Sequence, residues 1–174
     1  MEKSIDVLTD DFIKNHKISV IMGIYNCKDT IKDSIKSIIN QTYYNWELIM
    51  CDDGSTDSTL QIAREMERQY SKQIKVIQNE QNMGLNYTLN RCLKESTGEY
   101  IARMDADDIC LSDRFMKEMY VLADETNIDF VSTGMSYFDE SGIWGKVYKK
   151  EYPQKEDFLY ESPFCHAPSL VRKK

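Results

Sequence analysis

The sequence predicts an α/β fold, a mainly parallel central sheet with helices on both faces. Three observations carry this prediction. Short apolar runs of strand length recur along the chain, segments with helical apolar period lie between them, and two of the runs end in clusters of acid. Strands separated by helices of this length imply right-handed crossovers, which lay successive strands parallel in one sheet.

Residues 1–17 read as a polar leader in which Ile5, Leu8 and Phe12 stand at i, i+3 and i+7, the spacing of one docking helix. Residues 18–174 read as the domain itself. Its first strand is expected at 18–22, followed by a helix with Ile31, Ile35, Ile38 and Ile39 on one stripe. The second strand, 46–51, leads to a helix capped by Ser55 or Asp57, with Leu60, Ala63, Met66 and Tyr70 toward the sheet. A third strand at 74–78 passes through residues 79–84 into a helix with Leu85, Leu89, Cys92 and Leu93 inward and Gly98 as its C-terminal cap. The fourth strand, 100–104, ends at the second acidic cluster. Ser112 then caps a helix with Phe115, Met119 and Leu122 inside, and 128–132 is a fifth strand. After Gly134 the texture turns to Tyr, Trp, Gly and Pro, with a hairpin expected near Ser141-Gly142.

A chain of 174 residues with 41% hydrophobic content is one domain on size, and such a domain buries roughly 70% of its unfolded surface. The five cysteines are odd in number, widely spaced and without a Cys-x-x-Cys pair, which argues against a disulfide framework or zinc knuckle and for small buried hydrophobes in a reducing compartment. The first residues lack a basic stretch followed by an apolar one, and no window approaches the roughly 20 apolar residues of a membrane span. A cytoplasmic domain is expected, free or peripheral at the inner face of the membrane. The net charge of -7 disfavours nucleic acid as a partner.

The acidic clusters Asp52-Asp53-Gly54-Ser55-Thr56-Asp57 and Asp105-Ala106-Asp107-Asp108 follow the second and fourth strands. They therefore lie at carboxyl ends of strands, where open α/β sheets bind ligands. Like charges gathered there repel unless a divalent cation and a ligand phosphate are their partners, and carboxylates one residue apart offer hard oxygens to Mg²⁺ or Mn²⁺. None of the seven glycines has Gly-x-Gly-x-x-Gly or Gly-x4-Gly-Lys spacing, which disfavours a Rossmann dehydrogenase and a P-loop NTPase. An EF-hand starting at Asp105 fails because Cys110 stands at the turn glycine and Met116 at the bidentate Glu.

Four stretches in order, Val20-Ile21-Met22-Gly23-Ile24-Tyr25-Asn26, residues 47–57 ending in Asp52-Asp53-Gly54-Ser55-Thr56-Asp57, Asn82-Met83-Gly84, and residues 98–108 ending in Asp105-Ala106-Asp107-Asp108, resemble successive motifs of the family 2 inverting glycosyltransferases. The resemblance covers about residues 17–135. It implies the glycosyltransferase A fold, a nucleotide-diphosphate sugar donor, a glycan or lipid-linked acceptor in surface polysaccharide synthesis, and Mn²⁺ or Mg²⁺ on the Asp-x-Asp motif. By position, Tyr25 matches the aromatic that packs on the base, and Asp53 the carboxylate that accepts a hydrogen bond from it. An ionised carboxylate accepts and never donates, which suits the imide N–H of uracil or thymine, and a UDP-sugar is the favoured donor. Asp105 matches the acid directed at ribose or metal, Asp107 the metal ligand, and Asn82 with Gly84 the loop beside the donor. Asp52 reads as a turn residue and Asp108 as a carboxylate at the start of the following helix.

His166 lies in a segment that resembles the acceptor side, and His16 reads as exposed. The family's general base belongs to a motif further downstream, so the chain is expected to stop before it; a base within this length would come from Asp139, Glu140, Asp157 or Glu161. Two other readings stay open. One is a donor-binding module without turnover, and the other a sugar-phosphate nucleotidyltransferase, for which residues 23–28 make a poor triphosphate loop.

Overall fold

A computed structural model describes residues 8–125, 127–159 and 161–173. The chain forms α1 (Asp10–Asn15), β1 (Ile18–Ile24), α2 (Ile31–Ile39), β2 (Trp46–Asp52), α3 (Thr59–Gln69), β3 (Ile74–Gln78), α4 (Leu85–Glu95), β4 (Tyr100–Arg103), α5 (Arg114–Asp124), β5 (Phe130–Ser132), β6 (Met135–Asp139), β7 (Gly142–Val147), a 3-10 turn (Lys155–Leu159) and β8 (Ser169–Arg172). The main sheet has the order β3-β2-β1-β4-β8-β5, with β1 to β4 parallel and β8 antiparallel to both its neighbours. The mainly parallel sheet expected from the sequence is thus present, and strand order reverses between β1 and β4, the switch point where such sheets bind ligands.

Period-two alternation in the strands feeds two apolar layers. Val20, Met22, Leu48, Met50, Val76 and Ala102 point to the larger core, which α1, α2, α3 and α5 complete. Ile21, Ile49, Cys51 and Ile101 point the other way, to a smaller layer under Cys92 of α4. Tyr43, Tyr100 and Phe115 are the largest fully buried side chains, each worth roughly 2–3 kcal/mol of apolar burial.

Several sequence expectations need correction. Gly98 is not a helix cap: α4 ends at Ser96, and a Cβ on Gly98 would lie 2.6 Å from the Lys17 carbonyl oxygen, so close backbone approach is what requires glycine. Leu85 is half exposed rather than inward, because it opens the first turn of α4 above Gly23. The α5 cap is Asp113, and Ser112 gives its carbonyl to Thr42 instead. The α3 cap is Ser58, although Asp57 does accept from the Thr59 N–H at 2.9 Å. Asp108 sits in a turn well before α5 rather than at its start, its N–H donating to the Asp105 carbonyl. Within the leader, Ile5 lies outside the described residues, while Leu8 and Phe12 pack on the larger core and Ile13 is buried in it.

Candidate functional site

A cleft of about 440 Å³ opens at the carboxyl ends of β1 and β4. Gly23, Tyr25 and Asn26 line it from β1, Asp105, Ala106 and Asp107 from the turn after β4, and Leu85 from α4. Tyr25 is half exposed, its ring free to cover a ligand. Asn26 has φ 48°, a left-handed conformation that Asn tolerates better than most residues. There its N–H donates to Ser55 Oγ at 3.1 Å and its Oδ1 accepts from the Thr56 N–H at 2.9 Å, so the first acidic cluster is tied to the end of β1.

Asp53 is buried immediately behind the cleft and is not among the residues lining it. Its Oδ1 accepts from Asn79 Nδ2 at 2.6 Å and the Met83 N–H at 2.8 Å, and its Oδ2 from the Gly84 N–H at 2.9 Å. Burial opposes the charge, yet the Met83, Asn79 and Gly84 donors outweigh it and hold the carboxyl below its ordinary range. The carboxylate thereby fixes the loop containing Asn82, whose own side chain is exposed. Gly54 has φ 78°, and a Cβ there would meet the backbone of Gln81 and Asn82 at 3.0 Å, so this loop needs glycine beneath it. Asp52 is the turn residue expected, accepting from the Ser55 N–H at 3.1 Å.

Arg103 Nη2 forks the two oxygens of Asp105 at 2.9 and 3.2 Å. Asp107 is exposed and makes no hydrogen bond or ion pair with a described residue. Burial first, then repulsion from Asp105 and Asp107, raises the Asp108 carboxyl above its ordinary value. Behind this turn Arg114 is buried, giving Nη2 to the Arg103 carbonyl at 3.1 Å and the Ser169 carbonyl at 3.3 Å, with Glu118 at 3.1 Å from its Nε. Desolvation pushes Glu118 up to about 7 against the attraction of Arg114. This buried pair fastens the end of β4 to β8.

Of the residues singled out from the sequence, the structure brings Tyr25, Asp105 and Asp107 to one cleft. Asp53, Asn82 and His166 are not among the residues that line it. His166 is exposed, its ring against Phe164 with centroids 5.1 Å apart. Asp139 is used by Ser141, Asp157 by Lys150, and Glu161 by Lys149. Asn79, Arg103 and Arg114 were not singled out: nothing in a sequence marks a polar residue as buried until the partners that bury it are known.

Comparison with known proteins bears on the family and the fold. The family model for glycosyl transferase family 2 matches residues 19–173. The Bacillus subtilis protein named "Putative glycosyltransferase EpsE" is 46% identical over 156 residues, covering 90% of this chain and 56% of its own. The Escherichia coli UDP-Glc:alpha-D-GlcNAc-diphosphoundecaprenol beta-1,3-glucosyltransferase WfgD is 34% identical over 137 residues, covering 79% and 51%. The chain thus spans about half the length of the curated relatives it matches. Among solved structures, S. aureus TarS 1-349 in complex with UDP-GlcNAc superposes with TM-score 0.65 at 25% identity, over 90% of this chain and 45% of that one. The Pyrobaculum calidifontis mannosyltransferase PcManGT in complex with GDP-Man and Mn²⁺ superposes with TM-score 0.63 at 25% identity, over 67% and 34%. With the reversed strand order, the acidic turn and a model match across nearly all of its length, the chain belongs to glycosyl transferase family 2.

Proposed function

We propose that this chain is the donor-binding part of an inverting glycosyltransferase that takes a UDP-sugar with Mn²⁺ or Mg²⁺. It passes the sugar to a hydroxyl of a glycan or lipid-linked acceptor in surface polysaccharide synthesis, on the cytoplasmic side of the membrane. The observation that carries the reading is the meeting of Tyr25, Asp105 and Asp107 on one cleft at the strand-order reversal. The structural relatives above bind donors of both UDP and GDP type, and the uracil preference rests on Asp53. Its Oδ2 accepts from the Gly84 N–H, and an ionised carboxylate, with about four lone-pair sites, can accept a base N–H besides.

The residues present fit a divalent cation, since Asp105 and Asp107 offer hard oxygens one residue apart and the Asp107 carboxylate is otherwise unengaged. Among the described residues no three His, Cys, Asp or Glu side chains gather as a self-sufficient metal cage, so the donor's phosphate oxygens are the natural remaining ligands. When bound, such a cation stabilises the negative charge that builds on the departing nucleotide diphosphate. Tyr25 would stack on the base and Asp105 would accept from ribose or share the metal, while Arg103 holds the Asp105 carboxylate in place. The acceptor hydroxyl oxygen attacks the anomeric carbon from the face opposite the diphosphate, the bond to the diphosphate breaks with its electron pair staying on the leaving group, the hydroxyl proton passes to the general base that the family carries in its downstream motif, and inversion follows.

Among the described residues no helix is long and apolar enough to cross a membrane. A thermal-shift panel of UDP, GDP, TDP and CMP in Mn²⁺, followed by hydrolysis assays with UDP-sugars, tests the reading. UDP should stabilise most; a larger shift with CMP than with UDP would overturn the donor assignment.

A further inference from the structure

We infer that Asn79 is a positioning residue for the nucleotide base, acting through Asp53. The inference rests on the donor reading above. Asn79 is the first residue after β3 and is 2% exposed, yet each of its side-chain polar atoms is engaged. Its Nδ2 donates to Asp53 Oδ1 at 2.6 Å and to Thr88 Oγ1 at 3.0 Å, while its Oδ1 accepts from Arg91 Nη1 at 2.6 Å and from Cys51 Sγ at 3.5 Å.

Arg91 fixes which way the amide faces. A guanidinium only donates, so the oxygen of Asn79 must turn toward α4 and its nitrogen toward Asp53. With Met83 also on Oδ1, that oxygen is fully used; the Thr88 hydroxyl is a further donor to the carboxyl, and the capacity that remains is on Oδ2, beside the Gly84 N–H. The chain Arg91–Asn79–Asp53 therefore selects which carboxylate oxygen meets the base. An Asn in this place holds the carboxylate without adding charge, so Asp53 stays an acceptor throughout the neutral range. The other titratable groups around it are Cys51 and Asp52 on β2, and Arg91 and Cys92 on α4. Asp52 has turned to the Ser55 N–H.

Asn79→Asp tests this, because it is nearly isosteric and replaces a donor by an ionisable group 2.6 Å from Asp53. Two carboxylates that close share a proton, and one of their pKa values rises strongly. At pH 5.5 the shared proton replaces the amide N–H, whereas at pH 8 both groups are charged and the arrangement is broken. Calorimetry of UDP and CDP in Mn²⁺ at both pH values reads the difference. Wild type should keep its UDP-to-CDP ratio across the range, while the variant should match it within about threefold at pH 5.5 and lose roughly tenfold in UDP affinity at pH 8. Melting curves at both pH values accompany the titrations. Should the variant be unfolded at pH 8, Arg91→Gln, which frees the amide to turn over without touching the core, should narrow the UDP-to-CDP ratio about threefold at an unchanged melting temperature. A folded Asn79→Asp whose UDP-to-CDP ratio follows wild type at both pH values overturns the inference alone, as does an unchanged ratio in Arg91→Gln. Wild type that binds no UDP at either pH overturns the donor reading and this inference with it.

Discussion

Asp105 and Asp107 occupy the same turn but differ in what already holds them. Arg103 forks Asp105, while Asp107 is free of described partners, so removal of Asp107 takes away a ligand and little structure. Asp107→Ala should abolish the Mn²⁺-dependent part of UDP stabilisation and leave the melting temperature of the ligand-free protein within about 2 °C of wild type. A large fall in the ligand-free melting point would make Asp107 structural. Asp53 is the opposite case, because it accepts from two backbone N–H groups. Asp53→Asn turns a donor toward one of them and should cost about 1–3 kcal/mol of stability, read from urea denaturation, along with UDP affinity. Wild-type stability in that variant would show that the loop holds itself.

At the scale of elements, the site depends on what fastens the end of β4. Arg114 bridges the carbonyls of Arg103 and Ser169, and Glu118 balances its charge in a buried pair. Glu118→Ala would leave Arg114 buried and uncompensated, which should cost about 3–5 kcal/mol in a denaturant titration; a loss under 1 kcal/mol would mean that Arg114 finds water or another partner. The five strand runs, their helices and the hairpin at Ser141-Gly142 were legible, because apolar period and turn chemistry are local properties. Strand β8 was not, since Leu170 and Val171 alone make too short an apolar signal and its place between β4 and β5 depends on distant pairing. That Tyr25, Asp105 and Asp107 lie together at one sheet edge was legible because strand ends can be counted along the chain. The role of Asn79 was not, because it arises only where α4 and β2 close over it.

Across the whole molecule, the pole of the sheet opposite the cleft is tied by Glu47. Its carboxylate accepts from Lys17 Nζ at 2.7 Å, Ser19 Oγ at 2.6 Å and the Thr97 N–H at 2.7 Å, joining the residue before β1, β1 itself and the segment before β4. Burial opposes its charge, but these donors prevail and bring it down to about 2. The unfolded chain binds its proton near the ordinary value of 4.5. Its contribution, about 3 kcal/mol, is therefore complete above that value and lost as pH falls toward 2. Urea midpoints of wild type and Glu47→Gln should differ at pH 7 and converge near pH 2.5; parallel curves would assign the acid sensitivity elsewhere.

The central claim is that Tyr25 at the end of β1 and the acidic turns after β2 and β4 form a metal-assisted nucleotide site. The most direct test is the melting temperature of the wild-type chain with UDP at a hundred times its dissociation constant, measured in Mn²⁺ and again in excess chelator. Binding at that level adds about 2.7 kcal/mol, or about 5–10 °C for a domain of this size. The shift should be seen in Mn²⁺ and vanish in chelator; equal shifts in the two conditions would contradict the account.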